Sequence, residues 1–140
     1  MTKRLRAWIF DQDSTPQRFP LQKLVRTVGE LATLRARACV ISRADGYGLR
    51  VNGLAQKLAT LDTLSLTFQE LDELSAGVDE WFYNLDAALP EADLAFGLHD
   101  STALYVEGDE SMVGSLTASF RDVRPALPTQ TAAAKVEGHG

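Results

Sequence analysis

Two stretches decide how this chain is read: Ala38-Cys39-Val40-Ile41-Ser42-Arg43-Ala44-Asp45-Gly46-Tyr47-Gly48-Leu49-Arg50-Val51-Asn52-Gly53 and Asp93-Leu94-Ala95-Phe96-Gly97-Leu98-His99-Asp100-Ser101-Thr102-Ala103-Leu104-Tyr105-Val106-Glu107-Gly108. Each runs from an apolar segment through a polar turn into a second segment that ends in glycine. Asp45 and Asp100, Leu49 and Leu104, Val51 and Val106, and Gly53 and Gly108 all recur at a spacing of 55. Asp45-Gly46 and Asp100-Ser101 are turn signals, and alternation of apolar and polar residues on either side predicts strands. The pattern therefore predicts a β-hairpin used twice.

The flanking sequence extends each hairpin to a β-α-β-β-α unit. Leu5 to Phe10 is short, rich in β-formers and followed by turn residues, which predicts a strand. Pro20 stands where a helix would begin, and Leu21, Leu24, Val25, Val28, Leu31 and Ala32 keep helical spacing over 20–34. After the first hairpin, Leu54, Leu58 and Leu61 mark a short helix. Leu64, Leu66 and Phe68 alternate as in a strand, while Thr67-Phe68-Gln69-Glu70 equally reads as a capping box opening a helix. Val78, Trp81, Phe82, Leu85 and Leu89 predict a helix over 78–89, and Asp109 is placed to cap a last helix carrying Val113, Leu116 and Phe120. The expected fold is α+β, with two duplicated ferredoxin-like units (about 1–62 and 63–124) in one domain. Its sheet would be largely antiparallel, with the helices on one face. Residues 125–140, rich in Pro, Ala, Thr and Gly, read as a disordered tail.

Composition narrows the function classes. With 140 residues and 45% hydrophobic content the chain can bury a core without disulfides or metal. No apolar run approaches the roughly 18 residues a membrane-spanning helix needs. No segment reads as a signal peptide, so a cytoplasmic protein is expected. The single cysteine, Cys39, sits in an apolar run and reads as a small buried hydrophobe.

Charge is distributed unevenly. Residues 1–57 carry eleven Lys and Arg against four acids, whereas 58–120 carry thirteen acids and no Lys or Arg. The basic half lacks the aromatic platform of RNA-binding plaits, and the acidic half repels phosphate, so nucleic acid is not the expected partner. An acidic half of this kind suits a partner protein with a basic surface. The candidate face is Glu70, Asp72, Glu73, Asp79, Glu80, Asp100, Glu107, Asp109 and Glu110. The expected function is a small non-enzymatic binding protein, an inhibitor or immunity-type protein. A self-assembling homo-oligomer that pairs basic with acidic halves is the alternative from structural proteins.

Two resemblances add expectations. Trp8-Ile9-Phe10-Asp11-Gln12-Asp13-Ser14-Thr15 resembles the first motif of haloacid dehalogenase-like phosphatases, an apolar strand followed by Asp-x-Asp-x-Thr. It implies Asp11 as nucleophile and Asp13 as general acid/base in a Mg²⁺-dependent enzyme with parallel strands. The segment from Thr102 to Val113, continuing to Arg124, is similar to the middle of BLUF flavin photoreceptor domains, a strand ending in Glu-Gly followed by a helix. That resemblance implies the ferredoxin-like shape for the second half. The flavin-contacting Tyr, Gln and Asn set has no counterpart, so no cofactor is expected. One internal histidine, His99, with scattered carboxylates does not make a metal site.

Overall fold

The computed structural model describes residues 4–13, 19–31 and 38–125. Its elements run β1 (Arg4–Ile9), α1 (Leu21–Leu31), β2 (Ala38–Tyr47), α2 (Leu49–Leu58), β3 (Leu64–Thr67), α3 (Phe68–Leu74), β4 (Trp81–Leu89), β5 (Leu94–His99), β6 (Ala103–Asp109), α4 (Glu110–Thr117) and β7 (Val123–Arg124). The strands form one seven-stranded sheet in the order β3-β2-β4-β5-β6-β1-β7, with every described pairing antiparallel. The fold is α+β, as expected.

One face of the sheet is apolar because alternate residues of each strand are apolar. Ile9, Ile41, Phe82, Leu85, Phe96, Leu98, Leu104 and Val106 line it, and Leu24, Val51, Leu71 and Leu116 of the four helices pack in the same core. The opposite face has no helix over it among the described residues. A small second cluster there contains Trp8, Ala103 and Tyr105, with Phe10 packed against it. Trp8 and Tyr105 are only 2% and 3% exposed despite lying on this face. Long side chains cover them. The Arg6 guanidinium lies 5.3 Å from the Trp8 ring centre and 4.4 Å from that of Tyr105, and His99 meets Trp8 edge-on at 5.7 Å.

Gly97 makes room for the main polar contact of this face. It pairs with Asp86 on one side and Tyr105 on the other. With no side chain between them, the Tyr105 hydroxyl reaches across and donates to the Asp86 carboxylate. A Cβ at Gly97 would run into the Leu85 carbonyl and crowd the Tyr105 ring.

Three expectations are corrected. The first quoted stretch is not a hairpin: β2 continues through Asp45-Gly46 to Tyr47, and Leu49 to Val51 begin α2. The second stretch is a hairpin, β5–β6, closed by Asp100 and Ser101 at positive φ with Thr102 N–H donating to the His99 carbonyl. That is a type I′ turn, whose twist suits two paired strands. The two stretches therefore take different structures, and the order β-α-β-β-α repeated twice is not observed. Third, the helix expected over 78–89 is the strand β4. Its ladder with β2 skips Tyr83, so Asp45 pairs with Asn84 but Gly46 with Phe82. The surplus residue lets Phe82, Leu85, Ala87 and Leu89 share the core face, an apolar spacing that starts like a helix.

Other expectations hold. β1, β5, β6 and α4 lie where the sequence places them, and Thr67 both ends β3 and caps α3 through the full capping box with Glu70. Asp109 caps α4 by accepting from Ser111 N–H at 3.1 Å. The tail expected beyond Pro125, the last residues of the helix expected to reach 34, and Ser14 and Thr15 lie outside the described residues. Among the described residues no helix is long and apolar enough to cross a membrane.

The glycines give a direct test. Gly53 in α2 and Gly114 in α4 would place a Cβ within 4 Å of nothing. Gly53→Ala and Gly114→Ala should each raise stability by about 0.5–1 kcal/mol through helix propensity. Gly97→Ala should lower it by about 1–3 kcal/mol through backbone overlap. Urea unfolding of the three variants checks all of this, and a stabilising Gly97→Ala would overturn the account of the sheet centre.

Candidate functional site

The ends of β2 and β4 carry the most exposed apolar surface of the described residues. Tyr47 and Trp81 are register partners, and their rings stack at 4.4 Å between centres with 16° between planes. Tyr47 is 53% exposed, Leu49 at the start of α2 is 89% exposed, and Val78 is 66% exposed. Tyr83, the surplus residue of β4, is exposed at the same end of the sheet. Such a concentration of aromatic and aliphatic surface is uncommon outside interaction sites.

Local chemistry fixes the shape of this end. Gly48 takes φ 119°, which lets the chain turn sharply from β2 into α2. Glu80 fills the space beside Gly48, where a Cβ would collide with its side chain. The Glu80 carboxylate accepts from the Val51 N–H at 2.8 Å. It thereby satisfies an otherwise orphaned amide of the first turn of α2, which has no side-chain cap of its own. Asn84, buried behind the patch, donates to Asp45 Oδ1 at 3.0 Å and accepts from the Asp100 N–H at 2.7 Å. The Tyr83 carbonyl accepts from Ser101 N–H at 2.8 Å. One strand thus holds β2, the β5–β6 turn and the start of α2 in fixed relation.

Carboxylates lie on the segments that carry the patch: Asp45 on β2, Asp79 and Glu80 just before β4, and Asp100 in the β5–β6 turn. Two guanidinium groups lie close by. Arg43 reaches Asp45 at only 3.7 Å and Arg50 reaches Glu73 at 3.8 Å, both longer than a hydrogen bond.

The nine acids expected to form one docking face fall into separate places. Glu70, Asp72 and Glu73 lie on α3, in the helix layer. Glu70 is tied to the capping box, where the Thr67 backbone N–H, with the hydroxyl beside it, holds its carboxyl below the ordinary range. Asp72 binds Arg26 of α1 at 2.7 Å. Glu107 lies on the opposite side of the sheet and binds Arg4 and Arg6 at 3.0 and 2.8 Å. Asp109 and Glu110 begin α4, and Asp109 is the cap. Asp79, Glu80 and Asp100 are the members gathered at the aromatic end. Tyr47, Leu49, Val78, Trp81 and Tyr83 were missed as a group, because they come from three segments and no spacing in the sequence joins them.

The expected catalytic pair has a different setting from the one the phosphatase resemblance implies. β1 is antiparallel to both neighbours. Both Asp11 carboxylate oxygens accept backbone N–H groups, from Arg121 at 2.9 and 3.0 Å and from Asp122 at 2.7 Å, so Asp11 ties the end of β1 to the turn before β7. Asp13 is exposed nearby. Cys39 is buried, and burial pushes its thiol up to about 12, so the thiolate is not available near neutral pH. Tyr105 is likewise held protonated, by burial first and by Asp86 second. Among the described residues no group of three His, Cys, Asp or Glu side chains converges to hold a metal ion.

The chain matches no protein-family model, no curated protein and no solved structure. The geometry therefore carries the functional reading by itself.

Glu107 supplies a pH test of how the two halves meet. Burial raises its pKa, but the hydrogen bonds from Arg6 and Arg4 outweigh that and leave it below the ordinary value. The unfolded chain takes up this proton near pH 4.3, before the folded chain does. The contribution is thus complete above about pH 4.3 and is lost as pH falls through the lower folded value. Glu107→Gln should cost under about 1 kcal/mol at neutral pH, because the arginines are largely solvated. The difference from wild type should shrink as the solution is acidified. Urea midpoints across a pH series check this, and a difference that stays constant into acid would overturn it.

Proposed function

We propose that this chain is a small non-enzymatic protein-binding module, of the inhibitor or immunity type, that docks on a basic surface of a partner protein. The observation that carries the reading is the stack of exposed Tyr47 on half-buried Trp81, with exposed Leu49, Val78 and Tyr83 and the acids Asp45, Asp79 and Asp100 on the segments that flank it. Binding hot spots are enriched in Tyr and Trp, and they work best when a surrounding rim excludes water. An acidic rim steers a basic partner toward the patch and raises its association rate. The absence of Lys and Arg from 58–120 keeps much of that rim free of competing charge.

The reading shifts the docking surface from the acidic half as a whole to one end of the sheet. Asp72, Glu73 and Glu107 meet arginines of the same chain, and Glu70, Glu80 and Asp109 serve helix starts. Head-to-tail assembly of basic and acidic halves would draw on the same carboxylates, so a monomer meeting a different protein is the favoured arrangement.

The test is retention of partner protein from source-cell extract on immobilised chain, at low and at high ionic strength. Wild type should retain a basic protein at low salt and release it at high salt. Trp81→Ala should weaken the purified complex by about tenfold or more, as for an interface anchor. Asp79→Lys should slow association without a comparable change in dissociation. Retention that ignores salt, or a complex indifferent to both substitutions, would retire the proposal.

A further inference from the structure

Cations of the chain cover several of its rings. Arg6 lies over Trp8 and Tyr105, Lys23 over Phe120 at 4.4 Å, and Arg124 over Phe10 at 4.3 Å. Among the described residues no such cation covers Tyr47 or Trp81. Trp81 takes one face of the Tyr47 ring, and with half its surface exposed the other face is open. Asp45 lies two residues before Tyr47 on β2; the register shift between them comes from the surplus Tyr83 on β4, so β2 itself keeps its two-residue alternation and the two side chains share a face. A carboxylate beside an open aromatic face matches a guanidinium, which stacks on the ring while its N–H groups reach the carboxylate. The chain's own Arg43 approaches Asp45 at 3.7 Å, too far for a hydrogen bond, and leaves that position for a stronger donor.

Building on the proposed binding function, we infer that the Tyr47–Asp45 corner takes an arginine side chain from an exposed loop of the basic partner. Arginine is selected over lysine there because a planar guanidinium stacks on the ring, whereas an ammonium acts as a hydrated point charge. Asp79 and Asp100 attract either cation, and the ring supplies the discrimination. Asn84 holds Asp45 Oδ1, so the carboxylate is already oriented before the partner arrives.

The chain reports on this site itself, because it has two tryptophans and Trp8 is buried on β1, three strands away from Trp81 in the sheet. Blocked tetra-arginine and tetra-lysine peptides are titrated against the full chain at low ionic strength, and tryptophan emission is read. Tetra-arginine should bind at least about fivefold more tightly than tetra-lysine. Trp81→Phe should remove the signal, which assigns it to the site. Tyr47→Ala should abolish the preference for arginine and Tyr47→Phe should keep it, because the ring face and not the hydroxyl makes the contact. Asp45→Asn should weaken binding of tetra-arginine. Equal affinity for the two peptides, a preference that survives Tyr47→Ala, or no response to either peptide would each overturn the inference. Those outcomes leave the broader reading standing if the partner complex still depends on Trp81 and on salt, so the two failures are distinguishable.

Discussion

One surplus residue in β4 sets the geometry on which the candidate site depends. The ladder between β2 and β4 passes the surplus Ser42 of β2, runs in step from Arg43–Asp86 to Asp45–Asn84 and then skips Tyr83. A bulge of this kind bends its strand and strengthens the local twist. Here it frees the Tyr83 carbonyl for the Ser101 N–H and turns the Asn84 amide so that it spans Asp45 and the Asp100 N–H. Asn84 is buried, and a buried amide left without partners would cost a few kcal/mol on the order of an unmade hydrogen bond. Its two bonds therefore lock β2, β4 and the β5–β6 turn together. Trp81 then meets Tyr47 face to face at the end of the ladder.

The uneven charge of the sequence is partly resolved inside the molecule. The fold brings arginines of the first half onto acids of the second: Arg4 to Asp93 and Glu107, Arg6 to Glu107, Arg26 to Asp72. Each contact is solvated and contributes little, so the core and not the ion pairs stabilises the fold. Their consequence is for recognition. Carboxylates already matched by arginine offer a partner little, which moves weight to the acids beside Tyr47 and Trp81.

Where local chemistry and tertiary packing agree, the sequence was readable. Leu5 to Phe10, the capping box at Thr67 and Glu70, the cap at Asp109, and the Asp100-Ser101 turn all act through neighbours within a few residues. β2 and α2 were misread because the decisive contact is distant. Gly46 and Gly48 read locally as a turn, yet Gly46 lies against the Trp81 carbonyl and Glu80 supplies the amide acceptor that α2 needs, 29 residues away from Val51. β4 was misread because a bulge breaks the two-residue period on which strand recognition rests. The acidic face was legible as composition but not as a surface, since side chains on α3, β6 and α4 point to different sides of the sheet.

The aromatic end is hidden in the sequence for the same physical cause. Tyr47 and Trp81 are 34 residues apart, and each alone reads as an ordinary β-forming residue. They become a pair only because Ser42 is surplus in β2 and Tyr83 in β4, so the ladder returns to register after both. Remove either residue and every position beyond it changes face, which would carry Tyr47 or Trp81 away from its partner. A stacked, partly exposed pair that depends on two compensating irregularities does not follow from burying the core, since neither ring contributes to it. Its cost in exposed apolar surface is offset only when something else covers it.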